Sequence, residues 1–526
     1  MAKDTSAGAS WASAWEAFAV AKPAPDRRVL GWVAALCVGQ VLLWGLAFGL
    51  SHKVPEIDSA EQFVWAFSLE NGYWKHPPMP SWIMHGLIQL FGPSVALPLI
   101  ATQASIVIAL ALTWRLGCEF MSPQRSLVAM ALTSLVTYHN IGGDCINHNA
   151  ALLPFQAAAV LTFYRATRAG QWHQWALAGL FAGLAMLVTS MAMLPLLGLL
   201  LTFALDREQH RRRQLVGLAL AIGVFALVLL PHALWLRSTH FLPFRYAHSV
   251  AQALPGLNAS LRSIADFLLI QGLRLLPFFA GLWFVLGRRR REIIWSEPAA
   301  PVPSRDRRFL WIAALAPLAL TVLVALLTET ELQSRWGANA FLLTGWLAMA
   351  LAPRRDSASL LRRALRFTIA AQVLLCLSLT LSKTVVAEQR ANFPGAMLAL
   401  HAQSAWREHT EAPLRLVVSD IWLGGNIIAN GNPRVAVLID GHPFKSPGVK
   451  ETAVEACGAL VLDDLTRDAA GRGAPNPALD ALMARATFTG VWTLPWADRR
   501  AAAGHGESGR VVWGIIAPRD PRACRL

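Results

Sequence analysis

The sequence predicts a polytopic α-helical membrane protein that ends in a small soluble α/β domain. Three observations carry that expectation. The 526 residues are 55% hydrophobic and only 15% charged, with a mean hydropathy of +0.42, which is a membrane-protein composition. Apolar runs of spanning length recur along the first three quarters of the chain, and basic residues collect in the short gaps between them. From about residue 388 the pattern changes to short β-rich runs separated by Gly, Pro and Asn turns.

Taken in order, residues 1–28 are mixed in charge and read as a cytoplasmic N-terminal segment. The run Val29 to Leu50 is too long for a signal-peptide core, so it reads as an uncleaved first span. Further apolar segments lie near 94–117, 126–142, 149–167, 174–189, 191–205, 213–236, 264–287, 309–328, 339–353 and 366–385, about eleven spans in all. Arg27 and Arg28, Arg115 and Arg125, Arg165 and Arg168, Arg211 to Arg213, Arg288 to Arg291, and Arg354 to Arg366 then fall on one side. The positive-inside rule makes that side the cytoplasm, which puts the N-terminus inside and the C-terminus outside.

The formal charge of +15 is thereby read as topology signals, and no nucleic-acid partner is expected. Segment 297–308 is a Pro-rich cytoplasmic linker. The six Cys show no CxxC or Cys/His spacing, which argues against a metal knuckle. Cys457 and Cys524 could pair if the C-terminal part lies in an oxidising compartment. The expected organisation is 1–28, a transmembrane domain over 29–387 with a long first external loop at 51–93, and a soluble α/β domain over 388–526. That last domain holds the strand-like runs LRLVVSD, RVAVLID, ALVLDD and RVVWGII.

The unusual polar residues concentrate on the outer face. The first loop reads DSAEQFVWAFSLENGYWKHPPMPSW from Asp58 to Trp82, and a loop of this length in a compact protein is usually functional. Asp58 and Glu61 are three apart and share a face if the segment is helical. Lys75 and His76 precede Pro77 and Pro78, which hold the backbone extended and fix where those side chains point. A carboxylate beside cationic groups at a membrane surface suits deprotonation of a hydroxyl while a phosphate is held. The competing reading is simple solvation of loop polar groups.

The second external loop is short but carries Asp144, Asn147, His148 and Asn149. Asn147 or Asn149 could act only as a helix N-cap, which leaves ligand contact open. Around Pro231 to Ala247, the residues His232, Arg237, His240 and Arg245 alternate with aromatics. An interface belt explains the aromatics, whereas the Arg forks match phosphate oxygens. Arg335 is a further external cation, and Arg274 falls inside a predicted span, where it either snorkels or lines a polar cavity.

The succession of an acid after the first span, GYWKHPPMPSW, the Asn/Asp loop before ALLP, LPHALWL with FLPFRYA, and SRWG resembles the bacterial family-39 glycosyltransferases. Those enzymes are similar to the protein mannosyltransferases and the lipid A aminoarabinose transferase, and have the GT-C fold. The resemblance covers about residues 29 to 385 and, more loosely, the tail through RANFPG and GIIAPR.

It implies inverting transfer from a polyprenyl-phosphate sugar donor, on the outer face of the bacterial inner membrane, to a glycolipid or protein acceptor. Lipid A or LPS core is the expected acceptor. Asp58, with Glu61, takes the catalytic position as base or acceptor-orienting group. Lys75 and His76, with Arg245 and Arg335, take the donor phosphate, and Asp144, Asn147, Asn149 and His240 take substrate. Asp58-Ser59-Ala60-Glu61 stands where many relatives read Asp-Glu-Ala-Tyr. No cofactor is expected to be required, although a divalent metal on Asp58, Glu61 or His76 is open. The rival readings are a flippase for lipid-linked sugars and an inactive scaffold relative.

Overall fold

The computed structural model describes residues 26–526 except 207–210, 252, 288–301, 353–356, 386–389, 432–433, 451, 466–475, 496–507, 520–523 and 525–526. Most of segment 1–28, Arg288 to Arg291, Arg354 and Arg355, and the first part of the Pro-rich linker lie outside the described residues.

The helices of the first part are α1 (Arg27–Ser51), α2 (Ile57–Trp65), α3 (Met79–Phe91), α4 (Ala96–Gly117), α5 (Pro123–Thr133), α6 (His148–Ala169), α7 (Trp172–Val188) and α8 (Met193–Leu205). They continue as α9 (Arg212–Ser238), α10 (Leu242–Val250), α11 (Leu257–Arg274), α12 (Leu276–Gly287), α13 (Ser304–Thr328), α14 (Thr344–Leu351), α15 (Ala358–Val385) and α16 (Gly395–His409). Every predicted apolar segment is helical at least in part. Among the described residues, five helices (α1, α4, α9, α13 and α15) are long and apolar enough to cross a membrane, and α11 with α12, bent by 49°, makes a sixth.

The remaining segments give other helices. The 126–142 segment leaves the helix after Thr133 and continues as turns and a short 3₁₀ piece, Thr137–His139. The 339–353 segment enters as the 3₁₀ stretch Ser334–Ala340 before the eight-residue α14. Hydropathy reports removal from water, and these irregular stretches are buried in protein. Their backbone groups are satisfied by side chains, as irregular structure inside a membrane requires: Gln40 Nε2 donates to His139 O at 2.7 Å and Gln372 Nε2 to Ser134 O at 2.8 Å.

Trp44, Trp175 and Trp346 lie fully buried in the bundle. α14 approaches α5 so closely that a β-carbon on Gly345 would clash with Ala129 O, the small-residue packing that membrane helices use. Leu42, Leu227, Leu327 and Leu374 point outward from the long helices, the exposure lipid makes favourable. Arg125, counted above as a topology signal, is buried, and its Nε donates to Met349 O at 2.9 Å. It thus satisfies carbonyls at the end of α14. Arg274 is the last residue of α11, at the bend, with its guanidinium 5.1 Å from the Tyr138 ring centroid.

The C-terminal part contains β1 (Leu416–Ser419), α17 (Ile421–Ala429), β2 (Ala436–Ile439), α18 (Ala453–Cys457), β3 (Ala459–Asp464), α19 (Pro477–Met483), β4 (Phe488–Pro495) and β5 (Ser508–Ile516). The sheet order is β2-β1-β3-β5-β4. β1 is parallel to β2 and β3, while β5 runs antiparallel to β3 and β4. The four runs singled out in the sequence form β1, β2, β3 and β5. A disulfide joins Cys457 at the end of α18 to Cys524.

This domain sits on the first loop. α17 lies against α2, where a β-carbon on Gly425 would meet Ala60 Cβ at 2.6 Å and Ala60 O at 2.7 Å. Lys53 N donates to Ala391 O at 2.8 Å, and Ser68 Oγ to Pro447 O at 2.9 Å.

Candidate active site

α2 presents Asp58 in its first turn and Glu61 one turn on. A carboxylate in a first turn is favoured by the helix dipole. Asp58 is half-buried and Glu61 is 6% exposed. The chain after α2 folds back on itself: Trp65 stacks on Tyr73 at 4.8 Å, Tyr73 OH donates to Ser68 O at 2.6 Å, and Tyr73 N donates to His76 O at 3.0 Å. That turn carries Lys75 and His76 to Glu61. Lys75 Nζ donates to Glu61 Oε2 at 2.6 Å, and His76 Nε2 lies 4.0 Å from Glu61 Oε1. Pro78 caps α3 and Pro80 follows within its first turn, a position where the missing N–H costs nothing. Ser81 Oγ donates to Gln62 Oε1 at 2.7 Å and ties α3 to α2.

The second loop closes the other side. Asn147 caps α6, its Oδ1 accepting from Asn149 N and Ala150 N, both at 3.0 Å, while its Nδ2 donates to Cys145 Sγ at 3.2 Å. His148 sets its ring 4.7 Å from that of His76. Asn149 is buried, and its Oδ1 accepts from Asn339 Nδ2 at 3.4 Å. The 3₁₀ stretch holding Asn339 also holds Arg335, an exposed cation whose field reaches Glu61, His76 and His148. Asp58 in turn acts on Glu61, Lys75 and His148. Five predicted site residues, Asp58, Glu61, Lys75, His76 and Arg335, are therefore one electrostatic cluster.

The titration of these groups follows from burial and neighbours. Burial pushes Glu61 up to about 7, against the pull of Lys75. Burial alone would depress Lys75, and the Glu61 carboxylate more than offsets it, so Lys75 stays charged. Burial, then the charges of His148, Lys75 and Arg335, hold His76 well below the usual imidazole range. His76 is accordingly neutral at neutral pH: a hydrogen-bonding group, not the cation its place beside Lys75 suggested.

The other predicted residues fall elsewhere. Asp144 belongs to a separate group with His52 and Glu56; burial and the Glu56 charge raise its carboxyl. His240 and Arg245 are exposed. The residue after Arg245, Tyr246, does reach the cluster: its ring packs 4.6 Å from Trp74 and lies 5.7 Å from Lys75 Nζ. Sequence reasoning missed Tyr246, and also Lys445 of the soluble domain, which lies 5.3 Å from the Trp74 ring and 2.7 Å from Asp440 Oδ2. An aromatic next to a candidate Arg was the only available sign of the first; nothing local marked the second. Glu61 is taken by Lys75, and among the described residues the one group of metal-ligating side chains is His52, Glu56 and Asp144. A cleft of about 1220 Å³ between α2, α3 and the soluble domain, which none of the five cluster residues lines, is bordered by Phe63, His85, Arg407, Arg415 and Arg434.

An open carboxylate three residues ahead of a buried glutamate that pairs a lysine can activate a hydroxyl, while the lysine steadies an anionic leaving group. Together with the bundle and its seated α/β domain, this defines a membrane glycosyltransferase of the GT-C fold, and the comparisons with known proteins agree. Residues 75–235 match the family model described as dolichyl-phosphate-mannose-protein mannosyltransferase. The chain is 26% identical over 431 residues to the lipopolysaccharide core galacturonosyltransferase RgtA of Rhizobium johnstonii, covering 78% of this chain and 82% of RgtA. It is 24% identical over 307 residues to the lipid A galacturonosyltransferase RgtD of the same organism, covering 56% of this chain and 60% of RgtD. Among solved structures, ArnT from Cupriavidus metallidurans in the apo state superposes with a TM-score of 0.58 at 13% identity, covering 92% of this chain and 98% of ArnT. ArnT bound to undecaprenyl phosphate gives 0.54 at 12% identity, with the same coverage. These likenesses show an ArnT-like fold and support a glycosyltransferase.

Proposed function

We propose that the protein transfers a monosaccharide from a polyprenyl-phosphate donor to an envelope glycolipid, lipid A or LPS core, at the outer face of the bacterial inner membrane. Two relatives named for LPS core and lipid A galacturonosyl transfer, and an ArnT structure holding undecaprenyl phosphate, support the substrate classes. A polyprenyl-phosphate galacturonic acid is the first donor to test. The N-terminus lies in the cytoplasm and the soluble domain outside, where the Cys457–Cys524 disulfide is chemically at home.

In this reading Asp58 accepts the proton of the acceptor hydroxyl while that oxygen attacks the sugar's anomeric carbon from the face opposite the phosphate. The anomeric carbon–oxygen bond breaks, and the lipid phosphate leaves with its electrons. Lys75 and Arg335 stabilise the charge that develops there. His76 offers a neutral hydrogen bond, and Glu61 is a positioning residue for Lys75. The arginine-lined cleft suits an anionic acceptor headgroup.

The observation that carries the reading is the convergence of half-buried Asp58 with the Lys75–Glu61 pair and Arg335 from three separate stretches of chain. The test replaces Asp58 by Asn and follows transfer by mass spectrometry of lipid A and core from a deletion host. Transfer should fall by about 10²-fold or more; an undiminished product would sink the assignment.

A further inference from the structure

The cluster of His52, Glu56 and Asp144 is not used by the transfer chemistry. One nitrogen or oxygen from each residue lies within 4.8 Å of the other two. His52 is 4% exposed, and its Nε2 makes no hydrogen bond although it lies 3.4 Å from Glu56 Oε1. Its Nδ1 is 2.9 Å from Ser51 Oγ, whose own hydroxyl is directed at Phe48 O at 3.4 Å. Ser51 thus engages Nδ1, and Nε2 is the ring nitrogen turned toward the carboxylate. The contact that a metal-ligating histidine makes through its other ring nitrogen orients the ring in the same way.

We infer that His52 Nε2 and one oxygen each of Glu56 and Asp144 bind a divalent ion of the zinc class. One imidazole and two carboxylates suit that ion, and water completes its tetrahedral shell. The ligands come from the end of α1, the start of α2 and the second loop, so the ion ties both outer loops together two residues ahead of Asp58. Lys383 Nζ, 3.8 Å from Glu56 Oε1, is the resident cation that the ion joins. The role is structural, and it stands apart from the transfer reaction.

The test uses the full-length protein in detergent, stripped with chelator and titrated with Zn²⁺. Metal content is measured after desalting, and Co²⁺ replaces Zn²⁺ for the visible spectrum. Wild type should take up stoichiometric zinc and give the intense Co²⁺ bands of a four-coordinate site. Asp58→Asn should do the same, while His52→Ala and Asp144→Asn should lose both signals. Ser51→Ala, which keeps every ligand, should weaken zinc by about 10- to 100-fold, and it decides the matter if the ligand variants do not fold. Wild type without zinc uptake would overturn the inference and leave His52 Nε2 protonated against Glu56. Zinc binding undiminished in His52→Ala or in Ser51→Ala would overturn it equally.

Discussion

Lys75 Nζ and Glu61 Oε2 lie 2.6 Å apart, joining the turn after α2 to the helix itself across fourteen residues of sequence. The pair is mostly buried, with side-chain exposures of 20% and 8%. Breaking such a pair from one side leaves an uncompensated charge. Lys75→Met and Glu61→Gln should each lower stability, and the double variant should recover part of the loss, with a coupling of about 1 to 3 kcal/mol. Thermal unfolding of the four proteins measures it; additive losses would mean the pair is incidental.

The same pair separates the roles of Lys75 and His76. Lys75 keeps its charge and His76 is neutral. Lys75→Met should reduce transfer by about 10²-fold. His76→Gln, which keeps a hydrogen-bonding group, should cost about tenfold or less, in line with one neutral hydrogen bond of about 1 kcal/mol. Steady-state rates with a polyprenyl-phosphate sugar distinguish them, and a larger loss at His76 than at Lys75 would reverse the assignment.

Glu61 also sets a pH dependence of stability. Its folded pKa is raised to about 7 from an ordinary value of 4.5. Between those values the native state holds a proton that the unfolded chain has released, so stability falls as pH rises through the window. Wild type should therefore lose stability relative to Glu61→Gln on going from about pH 4.5 to about pH 7, and the difference should level off above it. Melting temperatures of both proteins across that range check the sign; a difference that grows with pH would contradict it.

How much of this was legible in the chain depends on sequence distance. Asp58, Glu61, Lys75 and His76 are contiguous enough that helix periodicity and the Pro77-Pro78 stiffener located them. That Glu61 is buried and spoken for, and that His76 is neutral, depends on the packing of Trp65, Tyr73 and His148 around them, which spacing does not encode. Lys445 reaches Trp74 from the soluble domain, 371 residues and a domain boundary away, and Tyr246 reaches it from α10, 172 residues away. Hydropathy likewise located the buried segments but could not separate a full span such as α15 from the buried turn at Thr137–His139. The β4 strand, with alternate residues exposed, lacked the continuous apolar run that marked β1, β2 and β3.

The exposed Arg245 and its half-buried neighbour Tyr246 make a local test. Tyr246 packs on Trp74 and faces Lys75, so Tyr246→Ala removes a cation–π contact of about 0.5 to 2 kcal/mol. Transfer should drop by about 3- to 30-fold, the rate equivalent of that energy. Arg245→Ala should stay within about twofold, as surface changes usually do. Donor KM and kcat for both variants decide it, and a larger effect at Arg245 would restore that residue to the donor site.

The seating of the soluble domain on α2 gives the last test. Gly425 meets the backbone of Ala60, two residues from Asp58 and one from Glu61, with no space for a β-carbon. Gly425→Val must push α17 away from α2 or shift α2 itself, an overpacking cost of about 1 to 3 kcal/mol. A shift of about 1 Å at Asp58, the base in the proposed reaction, lowers rates by about 10²-fold, so kcat should fall far more than the lost stability would account for at a temperature where the variant remains folded. Lys75→Met, Gly425→Val and their combination then form a cycle. If Gly425 acts only through the position of α2, the combined loss in rate is smaller than the product of the single losses. If the soluble domain contributes independently, the losses multiply.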